Sequence, residues 1–248
     1  MNQLNSPTHA KNPQSIQDMF GTISEKYDLA NSVLSFGIHH RWKKRLVREA
    51  KLKSGAHVLD CATGTGDLAF LFETALRGMG SVTGTDFCQH MLDVAMTKAK
   101  EKKSQARFKW ADVMDLPFPD ATFDVASISF GIRNVKDSQK ALTELGRVLK
   151  PGGRLLVLEF GQPRSPIISA LFGFYSTQIL PRIGGWISGK PEAYQYLNTS
   201  SAVFPCGPAF LKIAEATRLF SSQKFQALQF GIAYLYLLDK VHFSANGE

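Results

Sequence analysis

Residues 58–67 read Val58-Leu59-Asp60-Cys61-Ala62-Thr63-Gly64-Thr65-Gly66-Asp67, and this stretch decides the fold. An apolar strand here runs into a turn with two glycines, Gly64 and Gly66, whose missing Cβ atoms let backbone N–H groups approach a ligand. Asp86 stands 20 positions after Gly66, at the end of a second predicted strand, 82–85. A carboxylate in that place accepts hydrogen bonds from a ribose. The spacing therefore predicts a nucleoside-binding turn on an open α/β sheet, and it favours an enzyme.

Two further carboxylates beside the turn indicate the charge of the ligand. A dinucleotide fingerprint reads Gly-x-Gly-x-x-Gly, and Ala69 takes the last position, which the pattern tolerates, so a nicotinamide cofactor stays open here. Asp60 at the mouth of the strand and Asp67 at the start of the helix would repel a pyrophosphate. They suit the ammonium and sulfonium groups of S-adenosylmethionine. A plain strand–turn–helix, with Asp67 as a helix N-terminal acid, is the remaining alternative.

Length and composition fit one α/β domain with elaborations, or at most two small domains. The chain has 248 residues, and 44% of them are hydrophobic, which is enough for a sizeable core. No apolar run is long and charge-free enough to span a bilayer, and the polar residues 1–13 predict a disordered tail rather than a signal peptide. The three cysteines lack metal-ligand spacing, so we expect no metal site and a reduced, cytoplasmic chain.

The formal net charge is +8, and the basic excess is concentrated in two segments, 41–53 and 98–109. Two solvated helix faces would explain it, and so would binding to nucleic acid or to an anionic membrane surface. No zinc spacing or aromatic-interleaved RNA motif accompanies the charge. We therefore expect no nucleic-acid partner, although a non-catalytic RNA- or membrane-binding protein on an enzyme fold stays open as an alternative.

The order of predicted elements gives the organisation of the chain. After the tail we predict a single domain over 14–248, with N-terminal helices in 14–53 (14–31 and 39–52), a cofactor-binding core in 54–160, a helical lid or insertion in 161–205, and a closing helix and strands in 206–248. Core strands are predicted near 56–60, 81–86, 106–110, 123–128 and 154–160, and closing strands near 224–230 and 232–239. Alternating strands and helices of this kind require a doubly wound, mostly parallel sheet covered on both faces.

With these elements placed, the chain resembles the family of quinone-biosynthesis C-methyltransferases, which includes demethylmenaquinone methyltransferase and 2-methoxy-6-polyprenyl-1,4-benzoquinol methylase. The matching segments are 20–28, 34–39, 60–67, 116–120, 129–135 and 147–154. The Asp60 turn and the Lys-Pro-Gly-Gly turn at 150–153 occur in many methyltransferases. The segments Leu34-Ser35-Phe36-Gly37-Ile38-His39 and Phe130-Gly131-Ile132-Arg133-Asn134-Val135 are the particular ones. The resemblance implies a seven-stranded, Rossmann-like sheet of the class I S-adenosylmethionine methyltransferase type.

Cofactor contacts follow from the same resemblance. It implies S-adenosylmethionine binding at Thr65, Asp86, Asp112, Val113 and Ser129, beside the turn residues Asp60, Gly64 and Gly66. Asp86, Asp112-Val113 and Ser129 each fall at or just after the carboxyl end of a predicted strand. Open α/β sheets bind their ligands at that edge.

Catalysis of C-methylation requires a base, or a cation that stabilises a phenolate, because the ring carbon of a reduced quinone becomes nucleophilic as its adjacent hydroxyl loses a proton. Arg133 and Asn134 directly follow the fourth strand, where Arg would hold the phenolate and Asn a quinol oxygen. Tyr27, Asp28 and His39 are further candidates. Helix packing for Tyr27 and a structural role for His39 are the alternatives.

The resemblance also implies a prenylated quinol as substrate, which lives in the bilayer. The apolar segment 166–188 would then cover the prenyl tail or dip into the interface, and basic residues in 41–53 would meet anionic lipid. This predicts a peripheral protein at the inner face of the membrane. A helix that merely caps the core, a different small apolar acceptor, and homo-oligomer formation all stay open.

Overall fold

The computed structural model describes residues 13–242, and a seven-stranded sheet lies at its centre. The strands are β1 Ala56–Cys61, β2 Gly80–Asp86, β3 Arg107–Trp110, β4 Phe123–Ser129, β5 Leu149–Phe160, β6 Phe220–Leu228 and β7 Ala233–Lys240. Their order across the sheet is β3-β2-β1-β4-β5-β7-β6. The first five run parallel, and β7 lies antiparallel to both β5 and β6. The predicted doubly wound, mostly parallel sheet is confirmed.

Helices cover both faces of this sheet. They are α1 Pro13–Ile23, α2 Tyr27–Leu34, α3 Ile38–Glu49, α4 Asp67–Leu76, α5 Gln89–Lys102, α6 Ser138–Val148, α7 Pro166–Phe174, α8 Leu180–Ser188, α9 Pro191–Val203 and α10 Pro208–Ala216. The run Leu155–Leu158 shows why the strand is apolar throughout: Leu155 and Val157 pack with α6 and α10, whereas Leu156 and Leu158 pack with α3 and α4. All four are fully buried, as expected for a strand covered on both faces.

Two predicted strand boundaries were wrong. β5 begins at Leu149 rather than 154, because the Lys-Pro-Gly-Gly turn is a bulge within the strand: Leu149 lies opposite Phe123, and Arg154 lies opposite Val125. β6 covers Phe220–Leu228 rather than 224–230, and a short turn at Gln229–Gly231 joins it to β7. The two predicted closing strands therefore form an antiparallel hairpin around Phe230 and Gly231, with a longer first strand.

The predicted helix over 14–31 is broken into α1 and α2 by a 3₁₀ turn at Ser24–Lys26. The Ser24 hydroxyl donates to the Gly21 carbonyl at 3.0 Å, and such local side-chain bonds compete with a continuous helix. After the break, α2 begins at Tyr27 and packs against α3 and α8. The predicted disordered tail lies outside the described residues except for Pro13, which begins α1.

Segment 161–205 contains α7, a π-helical turn at Tyr175–Ile179, α8 and α9. α8 packs on α2 and α9, and the small cluster around Leu180 and Tyr194 joins this segment to the N-terminal helices. The N-terminal helices and the insertion thus meet above the carboxyl ends of the central strands. Within residues 13–242 no helix is long and apolar enough to cross a membrane.

Candidate functional site

Two adjoining cavities open at the carboxyl ends of β1, β2 and β4. The large cavity has a volume of about 400 Å³ and the small cavity about 140 Å³. Residues that line both mark the junction between them: Phe20, Tyr27, Ala62, Gly64, Ser129 and Phe130. A ligand in the small cavity therefore meets a ligand in the large cavity at this junction.

The small cavity contains the predicted nucleoside-binding residues Asp86, Asp112, Val113 and Ser129. Asp86 ends β2, and its Oδ2 accepts from the Gly64 N–H at 2.8 Å while its Oδ1 accepts from the Cys88 N–H at 2.8 Å. Desolvation by burial raises the pKa of Asp86, opposed by these backbone hydrogen bonds. Asp112 Oδ1 accepts from the Met114 N–H at 2.8 Å, which fixes the loop after β3 at the rim. The small cavity thus brings two carboxylates from neighbouring strand ends together.

The two glycines of the turn have different tasks. Gly64 has φ 58°, and a Cβ added to it would meet no protein atom within 4 Å, because the position faces the two cavities. Gly66 has φ 86° and precedes α4 as its N-cap, where an added Cβ would lie 2.9 Å from the Phe70 ring. Gly66 lines neither cavity. Gly64 therefore provides close approach for a ligand, and Gly66 provides the turn.

Asp60 is buried beneath the turn, with 1% of its surface exposed. Its Oδ2 accepts from the Thr63 hydroxyl at 2.7 Å and its Oδ1 from the Ser127 hydroxyl at 2.7 Å. Desolvation raises the pKa of the Asp60 carboxyl from 3.8 to about 6, against the lowering effect of both hydroxyls and of Lys43. The position lines the large cavity. Asp60 thus holds the turn and is a negative charge that a cationic ligand would stabilise.

The raised pKa predicts a pH-dependent gain in stability for Asp60→Asn. Because the folded-state pKa lies above the unfolded value, the carboxyl's contribution to stability is full below pH 4 and is lost as pH rises through 6, a loss on the order of 3 kcal/mol. We expect the variant to unfold at a higher urea concentration than the wild type at pH 7.5, with the difference shrinking toward pH 4. Equal destabilisation at both pH values would contradict this role of the charge.

Asp67, interpreted from the sequence as suited to a cationic ligand, lies beside two lysines. Its two oxygens lie 3.2 Å from Lys98 Nζ and 3.3 Å from Lys43 Nζ, and Lys98 also pairs with Asp28. These cations lower the pKa of Asp67 although burial alone would raise it. Potential metal-ligand atoms of Asp67, His39 and His40 also lie within 4.8 Å of one another. Since two ammonium groups already compensate Asp67, the charges at this position do not favour a cation.

Thr65 and Asp28 connect this charged group to the turn. The Thr65 hydroxyl donates to Asp28 Oδ1 at 2.6 Å, and Thr65 is almost fully buried beside the large cavity. Asp28 comes from α2, so it bridges the N-terminal helices and the glycine turn. Its partners leave Asp28 as a residue that anchors the turn rather than as an available base.

The candidate catalytic residues meet near the junction. Arg133 is 5% exposed and lines the large cavity; its Nη1 donates to Glu159 Oε1 at 2.7 Å and to the Phe130 carbonyl at 2.6 Å. Asn134 lines the small cavity and its Oδ1 accepts from the Tyr196 hydroxyl at 3.1 Å. Tyr27 lines both cavities. Burial raises the pKa of Tyr27, against the lowering effects of a hydrogen bond with Asn31 and of the Arg133 charge, so the phenol is neutral at pH 7.

The backbone at the junction is strained in a way that sequence reasoning missed. Phe130 has φ 57°, a left-handed conformation that costs a side-chain-bearing residue about 1–2 kcal/mol. Its N–H donates to the Leu158 carbonyl at 2.7 Å, and its ring lies 4.5 Å from the Phe160 ring. Strain of this kind persists where the surroundings over-determine the conformation. It places the Phe130 ring between the two cavities.

An orphaned polar atom supports the fit of S-adenosylmethionine to this site. The Ser129 hydroxyl is buried at the junction without a hydrogen-bond partner among the described residues. Buried polar groups without partners are uncommon and call for an explanation such as a bound ligand. Together with the open face of Gly64 and the carboxylates Asp60 and Asp86, this atom provides the polar contacts that a cationic nucleoside requires.

The large cavity is mainly apolar beyond the junction. Phenylalanine, leucine and isoleucine side chains from α1, α2, α7 and α9 line it, together with Trp42 of α3. His39 is a polar exception: its Nδ1 lies 2.6 Å from the Ser35 hydroxyl, and desolvation with the nearby Lys43 charge lowers its pKa to about 4. The imidazole is therefore neutral at pH 7. This cavity suits an apolar acceptor with few polar groups.

Comparison with known proteins agrees with this geometry. A family model described as the ubiE/COQ5 methyltransferase family matches residues 8–240. The chain is 52% identical over 228 residues to the ubiquinone/menaquinone biosynthesis C-methyltransferase UbiE of Bdellovibrio bacteriovorus, covering 92% of this chain and 97% of that protein. It is 41% identical over 227 residues to the demethylmenaquinone methyltransferase of Deinococcus radiodurans, covering 92% and 93% respectively.

A solved structure extends the comparison to the fold. Phosphoethanolamine N-methyltransferase 2 of Haemonchus contortus, solved in complex with S-adenosyl-L-methionine, matches with a TM-score of 0.56 at 16% identity. The match covers 79% of this chain and 50% of that one. At this identity the likeness concerns the fold alone.

Proposed function

The chain belongs to the ubiE/COQ5 methyltransferase family, and we propose that it transfers a methyl group from S-adenosylmethionine to a ring carbon of a demethylated prenylquinol. The matching family model and the similar proteins identify the chain as an S-adenosylmethionine-dependent C-methyltransferase of quinone biosynthesis. The resemblance, the enzyme class and the cofactor predicted from the sequence are thereby confirmed. The non-catalytic alternative therefore has no support.

The residues of the small cavity and the turn would hold the cofactor. Asp86 would accept from the ribose hydroxyls, Asp112 and Val113 would line the adenine side, and Gly64 with Thr65 would face the methionine end. The bound cofactor supplies an electrophilic methyl group on a cationic sulfonium. Ser129 and Gly64 lie at the junction between the cavities. The chain's own contribution would be to align the methyl group of the cofactor with the substrate in the large cavity.

The large cavity would hold the quinol head group and the first part of its prenyl chain. Its apolar lining excludes water from the ring, and Arg133 would stabilise the phenolate that forms as the quinol hydroxyl loses its proton. Arg133 keeps a buried Nε without a hydrogen-bond partner among the described residues, so it has a donor left for a substrate oxygen. Asn134, held by Tyr196, would orient a quinol oxygen or the cofactor.

The observation that carries this proposal is the junction itself, where the small cavity, which contains the carboxylates Asp86 and Asp112, and the larger apolar cavity share Ser129, Phe130 and Gly64. The direct test is to incubate the purified protein with S-adenosylmethionine and a reduced, demethylated naphthoquinone or benzoquinone that carries the same prenyl chain. Mass spectrometry should show one added methyl group on at least one quinol. Profiling quinones in a strain that lacks the protein identifies the physiological ring, and methylation of neither quinol would contradict the proposal.

A prenylated substrate also calls for contact with the membrane, and we propose an anionic bilayer as the partner. α7 carries no charged residue, and none of its side chains is fully buried. Exposed Leu171 of α7 lines the large cavity, as does Phe36, which is 79% exposed and packs 6.2 Å from Tyr175. α3 begins two residues after Phe36. An apolar helix and a basic helix thus lie at one cavity mouth.

The basic part of this surface is the outer face of α3. Arg41, Lys44 and Arg48 are exposed and form no ion pair among the described residues, whereas Lys43 turns inward to Asp67. Charge complementarity with anionic lipid is worth about 1 kcal/mol for each basic residue near the surface. The cavity mouth would then open toward the bilayer that holds the substrate.

We expect Lys44→Ala/Arg48→Ala to lose about 2 kcal/mol of binding to anionic liposomes, roughly a thirty-fold fall in the partition constant at low salt. Sedimentation with liposomes measures this, and wild-type binding should weaken in high salt because salt screens the attraction. Lys100→Ala/Lys103→Ala, exposed on and after α5, is the matched control and should bind like the wild type. Absence of wild-type binding at low salt would refute docking on α3.

A further inference from the structure

We propose that Glu159 is a positioning residue for methyl transfer: it holds Arg133 and the Phe130 turn in the one arrangement that serves the junction. This inference rests on the proposed function, in which Arg133 contacts the developing phenolate. Glu159 lies next to the end of β5, with 1% of its surface exposed, and lines neither cavity. It therefore acts through its partners rather than on the substrate.

Three hydrogen bonds define its position. Glu159 Oε1 accepts from Arg133 Nη1 at 2.7 Å and from the Phe160 N–H at 2.8 Å, and Oε2 accepts from the Arg133 N–H at 3.3 Å. One carboxylate thus fixes both the guanidinium and the backbone of Arg133. A charged hydrogen bond of this kind holds a planar guanidinium in a defined direction. Arg133 lines the large cavity, and its buried Nε has no hydrogen-bond partner among the described residues.

The same pair supports the strained turn. Nη1 of Arg133 donates to the Phe130 carbonyl at 2.6 Å as well as to Glu159. Phe130 has φ 57° and lines both cavities. If Glu159 releases Arg133, the Phe130 carbonyl loses the donor that holds it in the left-handed conformation. Glu159 therefore sets both the cation and the ring at the junction.

The titratable groups around Arg133 come from three elements besides its own turn. Glu159 is on β5, Tyr27 on α2 and Tyr196 on α9, and the Arg133 charge lowers the pKa of both tyrosines against the raising effect of burial. Glu159 acts in the opposite direction on Tyr196. The hydroxyl of a quinol placed beside Arg133 is also a phenol, and its pKa would be lowered by the Arg133 charge and raised by the Glu159 charge. Removing the Glu159 charge therefore favours ionisation of that phenol at lower pH.

Two variants separate position from charge. Glu159→Gln keeps the size and one acceptor but removes the charge, and Glu159→Asp keeps the charge but withdraws it by one methylene. We expect kcat to fall roughly ten- to a hundred-fold in both, because small displacements near the reacting atoms are costly. The acidic limb of the kcat–pH profile should move about one pH unit lower in Glu159→Gln and stay in place in Glu159→Asp. KM for S-adenosylmethionine should stay within about two-fold, since Glu159 lines neither cavity.

The control is Asp239→Asn, which removes the carboxylate that pairs with Arg154 in the middle of β5, where neither residue lines a cavity. It should leave both kcat and the pH profile as in the wild type. A merely structural role for Glu159 would lower the folded fraction or the rate equally at every pH, and an unmoved acidic limb in a folded Glu159→Gln protein would overturn the proposal. Absence of quinol methylation by the wild type would instead overturn the proposed function.

Discussion

Gly64→Ala should strongly weaken the binding of S-adenosylmethionine while leaving a folded protein. The added methyl group would meet no protein atom within 4 Å, so it would project into the space where both cavities approach the backbone. A ligand that packs on this backbone must then move away from it. The strained backbone at residue 64 would also shift the N–H that donates to Asp86. We expect the dissociation constant, measured by isothermal titration calorimetry, to rise at least about thirty-fold, which corresponds to about 2 kcal/mol.

Two other glycines make this test specific. Gly55 has φ 81° and Gly78 has φ 78°, and an added Cβ at either meets no protein atom within 4 Å. Both are exposed and lie away from the carboxyl edge of the sheet. Gly55→Ala and Gly78→Ala therefore incur the same left-handed cost, about 1–2 kcal/mol of stability, without reaching a cavity. They should bind the cofactor like the wild type, and normal binding by folded Gly64→Ala would show that the cofactor lies elsewhere.

The sequence predicts the strand ends and the turn at the carboxyl edge of the sheet well because their signals are local. The strand ending at Asp60, the turn through Gly66 and the acid at Asp86 are each specified by a few neighbouring residues. The structure brings Asp86 to within 2.8 Å of the Gly64 N–H, as expected when β1 and β2 pair in parallel. Chemistry of this kind can be predicted before any long-range contact is known.

The interactions that sequence reasoning missed connect distant elements. Asp67 predicts a negative charge at the turn, but Lys43 of α3 and Lys98 of α5 both pair with it, and no spacing in a single sequence indicates that contact. Glu159 directly follows the apolar run 155–158. A charged residue next to such a run is the one feature of the sequence that could have indicated a buried, functional carboxylate. Its partner Arg133 lies 26 positions away on a different turn. Such pairs are set by strand order and helix packing.

The buried Arg133–Glu159 pair also changes how the role of Arg133 must be tested. Arg133→Ala or Arg133→Met leaves the Glu159 carboxylate buried without its cation, which costs roughly 3–5 kcal/mol of stability. Loss of activity in either variant would then mix unfolding with chemistry. Replacing both members removes the uncompensated charge, and substitution of a buried ion pair by apolar side chains is often neutral or stabilising.

We therefore expect Arg133→Met/Glu159→Met to fold, to bind S-adenosylmethionine within a few-fold of the wild-type affinity, and to lose roughly 10²–10³ in kcat on a demethylated prenylquinol. Thermal unfolding, calorimetry and single-turnover methylation measure the three quantities separately. Arg133→Lys keeps a positive charge but not the guanidinium whose Nη1 donates to both Glu159 and the Phe130 carbonyl, so its rate should fall between those of the wild type and the double variant. If the folded double variant turned over near the wild-type rate, the cation would have no part in stabilising the phenolate, and Arg133 would be a structural residue of the turn.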